Sequence, residues 1–268
     1  MKRITFFNEK GGTGKTTFNA LFASWLAYEK GKRVFVQDFD YPNYQLLNIR
    51  KNEVDLMARD PRFASLVTAT PYPIGKVSGN GVYSREQLAE IVAQVREYSA
   101  GEGYCVLDFP GRFLAEDPAR AIAASGLLDL VVFPVDSDRQ SISSALFVSS
   151  LMRNPRFLAR AGKERQELLV MWNRETRSER RGKRDPFADG DETFRLLGIP
   201  VCATRAREIL SLRRDGEVFG FMRSTVCYPR TNIRMYAPWM EDLFEEILAR
   251  LDGTYSAPAV EEKAEEGR

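Results

Sequence analysis

The stretch Asn8-Glu9-Lys10-Gly11-Gly12-Thr13-Gly14-Lys15-Thr16-Thr17 constrains this chain more than any other. Ile4 to Phe7, just before it, are β-branched and aromatic and predict a strand. Thr17 to Lys30 predict a helix, with Gly31 as its C-terminal stop. A glycine loop between a strand and a helix N-terminus gathers free backbone N–H groups and the positive end of the helix dipole at one point, which suits phosphate oxygens. In such a loop Lys15 reaches the β- and γ-phosphates and the Thr16 hydroxyl ligates Mg²⁺, while Gly11, Gly12, Thr13, Gly14 and Thr17 complete the cradle. Nucleotide hydrolysis is therefore the leading expectation. A glycine-rich turn without ligand is the plainer alternative.

The usual spacing of a phosphate loop asks for glycine at position 9, where this chain has Glu9 followed by a second lysine, Lys10. Lys10-Gly-Gly-x-Gly-Lys15-Thr resembles the deviant Walker A loop of the ParA/MinD superfamily of ATPases. The resemblance implies an ATP-sandwich homodimer in which Lys10 crosses to the partner's nucleotide. Beside Lys10 and Lys15 it implies Asp40 as the third catalytic residue. Asp38-Phe39-Asp40-Tyr41-Pro42, at the end of a predicted strand Val34 to Asp38, matches the family's D-x-D-P motif with Tyr41 inserted. By that match Asp38 helps hold the Mg²⁺ water shell and Asp40 orients the attacking water. The edge where parallel strands end is where open α/β sheets bind ligands; a polar strand end making an Asx turn is the structural alternative.

Tyr104 to Asp108 is an apolar strand closing on an aspartate and Pro110-Gly111, which fits the Walker B position. The resemblance gives Asp108 to Mg²⁺ through water and the Pro110-Gly111 backbone to sensing the γ-phosphate. Asp117-Pro118 predicts a short helix stopping at Gly126. Leu130 to Pro134 and Leu168 to Asn173 are apolar strands of the kind a sheet covered on both faces requires. A helix is expected over Ser141 to Met152, and Val201 to Ala203 as a further strand. Asn173 occupies the family's adenine-side position, though asparagine at a strand end is equally turn chemistry. Thr204-Arg205-Ala206 replaces the family's Ile-Pro-Arg, so nucleotide contacts there are not expected to carry over. Residues 54–83, broken by prolines and glycines, are expected to be a variable excursion. Ser84 to Gln87 is a capping box, with Leu88, Ile91, Val92 and Val95 as a helical core stripe.

The chain has 268 residues, 44% hydrophobic, enough for one large α/β domain. The fold class expected is α/β, a doubly wound, mainly parallel sheet flanked by helices, over residues 1–252. Residues 253–268 are expected to be a disordered acidic tail. No histidine is present, which removes His-based general bases and Ser-His-Asp triads, so carboxylates and lysines must do the chemistry. Cys105, Cys202 and Cys227 form no C-x-x-C pair and predict buried thiols in a reducing cytoplasm. An iron–sulfur reductase with the same loop would need cysteines beyond Asp108, and Cys105 lies inside the strand before it. No apolar run approaches 18 residues and no signal peptide is expected.

The whole chain carries +2, but charge is local. Residues 174–184 hold six cationic side chains, Arg174, Arg177, Arg180, Arg181, Lys183 and Arg184, against two acidic ones. Residues 203–234 hold seven, Arg205, Arg207, Arg213, Arg214, Arg223, Arg230 and Arg234, against three. Such segments neutralise phosphates without reading bases, or form a solvated loop. The resemblance favours ATP-gated, non-specific DNA binding and a protein partner that stimulates hydrolysis. The expected place is the cytoplasm, at the nucleoid where DNA is bound. The run Thr-Phe-Asn-Ala-Leu-Phe-Ala-Ser-Trp-Leu-Ala-Tyr, with Asp-Phe-Asp-Tyr-Pro, looks most like the ParA-like proteins of conjugative elements, and partition or conjugative maintenance and transfer is the implied role. The last predicted helix, Pro238 to Leu251, has an apolar face and an acidic one. A membrane-seeking helix favours Lys and Arg there, so membrane is not the expected partner. An ATPase of this kind that positions a protein or membrane-associated complex without binding DNA is the other functional class left open.

Overall fold

A computed structural model describes residues 1–77, 83–113, 117–161, 167–183, 185–209 and 223–256. Six parallel strands lie in the order β3-β2-β4-β1-β5-β6. They are β1 (Lys2–Phe6), β2 (Val34–Asp38), β3 (Ile74–Lys76), β4 (Tyr104–Asp108), β5 (Leu130–Val135) and β6 (Leu168–Trp172). Every residue of β4, β5 and β6 is buried, as their unbroken apolar sequences require of strands covered on both faces. Alternation assigns the side chains to two cores. Ile4, Phe6, Val106 and Val132 face one way, and Phe7, Leu107, Val131 and Phe133 face the other.

On the first face lie α1 (Lys15–Ser24), which continues as a π-helical turn (Trp25–Glu29), and the last helix, Trp239–Asp252. Phe22, Trp25 and Phe244 meet there with centroids 5.3–5.8 Å apart. Met240, Leu243, Phe244, Ile247 and Leu251 are buried, so that helix spends its apolar face on the domain. On the second face α4 (Arg85–Tyr98) begins at the predicted Ser84/Gln87 capping box, and α5 (Pro118–Ala124), α6 (Arg139–Met152) and α7 (Pro155–Ala161) follow.

Three expectations are corrected. The predicted excursion over 54–83 contains order: α2 (Gln45–Arg59) runs well into it, α3 (Pro61–Ala64) follows, and β3 pairs with β2 through Val36 and Ile74. A three-residue edge strand carries too little pattern to show against its flanking prolines. The strand predicted at Val201 to Ala203 reduces to one parallel bridge between Val170 and Val201. The helix predicted from Thr17 begins at Lys15, because Gly14 at φ +86 turns the chain straight into it. The three cysteines are buried and free, and burial pushes the Cys105 thiol up to about 12. Among the described residues no helix is long and apolar enough to cross a membrane. The predicted tail lies outside the described residues from 257 on.

Candidate nucleotide site

At the carboxyl edge of the sheet, β1 has β4 on one side and β5 on the other, and β2 lies beyond β4. The β2–β4 register sets Asp38 beside Asp108. Both carboxylates are buried at the end of their strands, directly across from the loop that leaves β1. Asp38 and Asp108 from the sequence reading are therefore brought together, with Lys15 electrostatically close to Asp108 and Asp40.

The loop is held from several sides. Asn8, fully buried, donates to the Pro134 carbonyl at 3.0 Å and accepts from the Lys10 N–H and the Ser144 hydroxyl. Gly12 and Gly14 take φ of +75 and +86, a region costly for residues with a Cβ. A Cβ on Gly14 would also meet the Phe18 ring at 3.2 Å. Gly14 is the N-cap of α1 and no side chain caps that helix. Its first-turn N–H groups at Lys15, Thr16 and Thr17 are thus left for an anion. Thr13 bonds back to the Lys10 carbonyl, and Lys15 Nζ donates to the same carbonyl at 3.1 Å. Burial lowers the Lys15 pKa, against the pull of Asp108 and Asp40.

The two lysines of the loop face different ways. Lys15 Nζ, on the Lys10 carbonyl, lies in the electrostatic field of Asp108 and Asp40, whereas the Lys10 ammonium pairs with Asp138 and lies 3.8 Å from Asp136, beyond β5. Burial disfavours ionisation of Asp138, but Lys10 and the Ser141 N–H outweigh it and hold its carboxyl below the usual range. Asn173 donates to the Thr13 carbonyl at 2.9 Å and accepts from the Arg174 N–H. It therefore braces the loop and keeps one N–H and one lone pair for a ligand. Arg174 donates to the Gly12 carbonyl and, at 3.2 Å, to Asp136.

Asp38 is a cap as well as a site residue. Its carboxylate accepts from the Asp40 N–H at 3.0 Å and from the Leu46 and Leu47 N–H groups in the first turn of α2, whose N-cap Tyr44 offers none. Burial raises its pKa despite those donors. Asp108 accepts from Asn19 Nδ2 at 2.7 Å and is hydrogen-bonded by Thr16, yet its Oδ2 has no partner. Burial, then the neighbouring Asp38 charge, pushes its carboxyl up to about 7. An orphaned carboxylate oxygen beside the Thr16 hydroxyl fits a hard cation that keeps most of its waters and shares phosphate oxygens, as Mg²⁺ does. Among the described residues no group of three or more acidic, cysteine or histidine side chains forms a metal cage.

Sequence reasoning missed several of these partners. Asn19 bonds Phe6 N at 3.0 Å as well as Asp108, tying α1 to β1 and β4; its signal was a polar residue inside the apolar run Phe18–Ala23. Glu9, the departure from the usual loop, accepts from the Phe113 N–H at 3.1 Å and so holds the segment after Asp108. There a Cβ on Gly111 would fall 3.0 Å from Lys15 Nζ, so the Pro110-Gly111 backbone sits against Lys15. Asp136 and Asp138 went unremarked because the strand was taken to end at Pro134.

The basic segments are less free than their composition suggested. Arg205 stacks on Phe187 and pairs with Asp185, Asp191 and Glu175; Arg230 pairs with Glu29 and Arg234 with Glu241. Arg177, Arg180 and Arg181, on the short capped helix α8 (Arg177–Arg181), and Lys183 are exposed. Exposed Arg207 lies close by, where its backbone forms a parallel β-bridge with that of Glu175. Arg184, Arg213 and Arg214 lie outside the described residues.

A glycine loop uncapped at its helix, two buried carboxylates at the neighbouring strand ends and an all-parallel sheet define a P-loop nucleotide-binding protein. Residues 4–256 match the CobQ/CobB/MinD/ParA nucleotide-binding domain, and the chain belongs to that family, whose ParA/MinD members are nucleotide-binding ATPases. Its fold is similar to pNOB8 ParA bound to non-specific DNA (17% identity, TM-score 0.60, 95% of this chain and 99% of that one). It is also similar to Aquifex aeolicus MinD (18%, 0.58, 96% and 99%) and to a Cyanothece McdA variant in complex with ATP (17%, 0.57, 96% and 98%). No curated protein sequence matches the chain.

Proposed function

We propose that this protein, through a catalytic domain spanning residues 1–252, is a Mg²⁺-dependent ATPase whose turnover times a switch between a monomer and an ATP-bridged homodimer. In this reading the dimer binds DNA non-specifically, in partition or conjugative-element maintenance and transfer. The observation that carries the reading is the split orientation of the loop's lysines. Lys15 serves the nucleotide of its own chain. Lys10 stands at the rim, held by Asp138 and Asp136, and is available to a facing nucleotide once that pairing is exchanged for phosphate. Thr16 and Asp108 would hold Mg²⁺, with Asp38 ordering its water shell; the ion supplies charge neutralisation on the bridging phosphates. Asp40 places the attacking water, and Asn173 takes the adenine edge while bracing Thr13. A partner protein that tightens this geometry would speed hydrolysis.

The DNA complex of pNOB8 ParA supports a DNA partner for this fold. On this chain the exposed cluster Arg177, Arg180, Arg181, Lys183 and Arg207 is the surface suited to phosphates. Membrane is disfavoured, since the apolar face of the last helix is buried. Binding to random-sequence duplex DNA across a salt series tests the role. ATP but not ADP should promote it, and affinity should fall by about 10-fold or more between 50 and 200 mM salt if several phosphates are neutralised. Asp40→Ala should hold the ATP dimer on DNA. Absence of binding at low salt with either nucleotide would sink the DNA role and leave an ATPase that positions a protein complex.

A further inference from the structure

Phenylalanines hold the turn after β4 at both of its ends. Phe109, the residue after Asp108, stacks on Phe39 with ring centroids 4.6 Å apart, and the Phe39 N–H donates to the Asp108 carbonyl at 2.9 Å. Phe39 itself lies between Asp38 and Asp40. At the other end Phe113 is buried and packs on Phe7 at 5.6 Å, and Phe7 precedes the Asn8 that anchors the phosphate loop. Between these anchors the chain folds back on itself, with the Arg112 N–H donating to the Pro110 carbonyl at 2.7 Å. That bond makes a three-residue γ-turn with Gly111 at its centre.

Gly111 faces the phosphate loop at close range. A Cβ there would fall 3.0 Å from both Lys15 Nζ and the Glu9 carbonyl, and 3.4 Å from the Asn8 carbonyl. A lysine at the Lys15 position takes the β- and γ-phosphates, so a terminal phosphate drawn to its ammonium arrives beside the Gly111 backbone. Among the described residues nothing accepts from the Gly111 N–H, which leaves it for a phosphate oxygen. A γ-turn closed by a single hydrogen bond is a weak restraint, and its placement depends on what grips its ends. One grip comes from the phosphate loop itself, where Glu9 Oε1 accepts from the Phe113 N–H at 3.1 Å. A carboxylate beside a phosphate cradle opposes the charge of the ligand. The favourable part of Glu9 therefore lies in the backbone it holds.

We propose that Glu9 is a positioning residue for nucleotide discrimination. By holding the Phe113 N–H it fixes the Gly111 backbone against Lys15, where the γ-phosphate of ATP, and nothing of ADP, meets it. This rests on the ATPase reading above. Glu9 acts through Gly111 and within its own chain, unlike Lys10, and it serves only the triphosphate, unlike Lys15, which also takes the β-phosphate.

Equilibrium titration of the full-length protein with fluorescent ADP and a fluorescent β,γ-imido analogue of ATP tests it. Glu9→Gln and Glu9→Ala both delete the negative charge, but only glutamine keeps an oxygen for the Phe113 N–H. Their comparison isolates the hydrogen bond. Glu9→Ala should bind the ATP analogue about 10-fold more weakly than Glu9→Gln, the upper scale of one hydrogen bond, while the two bind ADP alike. A general loosening of the loop would weaken both nucleotides, so equal ADP affinity separates positioning from a structural role and shows that both variants are folded. Equal affinity of the two variants for the ATP analogue, or a loss that ADP shares in the same ratio, overturns the proposal while the ATPase reading stands. Failure of the parent to bind either probe overturns both.

Discussion

Lys10→Ala should bind ATP with close to parental affinity and hydrolyse it about 10³-fold or more slowly, the scale on which a cation supplied in trans to phosphoryl transfer acts. The Lys10 ammonium goes to Asp138 and Asp136, and the residue meets Thr13 and Lys15 through its backbone carbonyl, which a side-chain truncation keeps. Removing the side chain therefore leaves the cradle of Gly12, Gly14 and Lys15 intact. Lys15→Ala should instead abolish binding, because it deletes the half-buried cation that lies in the field of Asp108 and Asp40 at the start of α1. Single-turnover hydrolysis and sedimentation with ATP, run on both variants, separate the two. A Lys10→Ala protein that turns ATP over as fast as the parent ends the trans mechanism.

That contrast shows what the sequence could and could not say. The loop, the strand ends carrying Asp38 and Asp108 and the helix after Ser84 were legible because each depends on local spacing: glycines where φ must be positive, an aspartate closing an apolar run, Ser and Gln three apart. The network that holds them was not. Asn8 reaches Pro134, Asn173 reaches Thr13 and Glu53 reaches Thr225 across 126, 160 and 172 residues, and no periodicity in one segment encodes a partner that distant. Composition misled in one place for the same reason. Arg205 counted as part of a basic surface, yet three acidic side chains and the Phe187 ring absorb it. Of the twin basic segments, α8 and its neighbours expose Arg177, Arg180, Arg181, Lys183 and Arg207, whereas Arg230 and Arg234, though exposed, are paired with Glu29 and Glu241, so a DNA footprint should be sought first at α8.

The metal edge should show a trade of stability for chemistry. Asp108 is fully buried beside Asp38, with one oxygen unpartnered and its carboxyl pushed up to about 7. A carboxyl raised in the folded state leaves stability intact below its unfolded pKa, near 3.8, and costs stability as pH rises toward 7, because the unfolded chain ionises first. Asp108→Asn removes that cost. The amide oxygen still accepts from Asn19 and Thr16, while its NH₂ inherits the unpartnered position at about 1–3 kcal/mol. The raised pKa represents about 4 kcal/mol above pH 7, so the nucleotide-free variant should gain about 1–3 kcal/mol there. Near pH 4, where the ionisation cost has almost vanished and the unpartnered amide remains, it should be no more stable than the parent or slightly less, and it should lose Mg²⁺-dependent hydrolysis. Denaturant unfolding at several pH values checks the first part and turnover with Mg²⁺ the second. A variant no more stable than the parent at pH 8 would mean that Asp108 carries its charge without strain, and that its free oxygen is not held open for a cation.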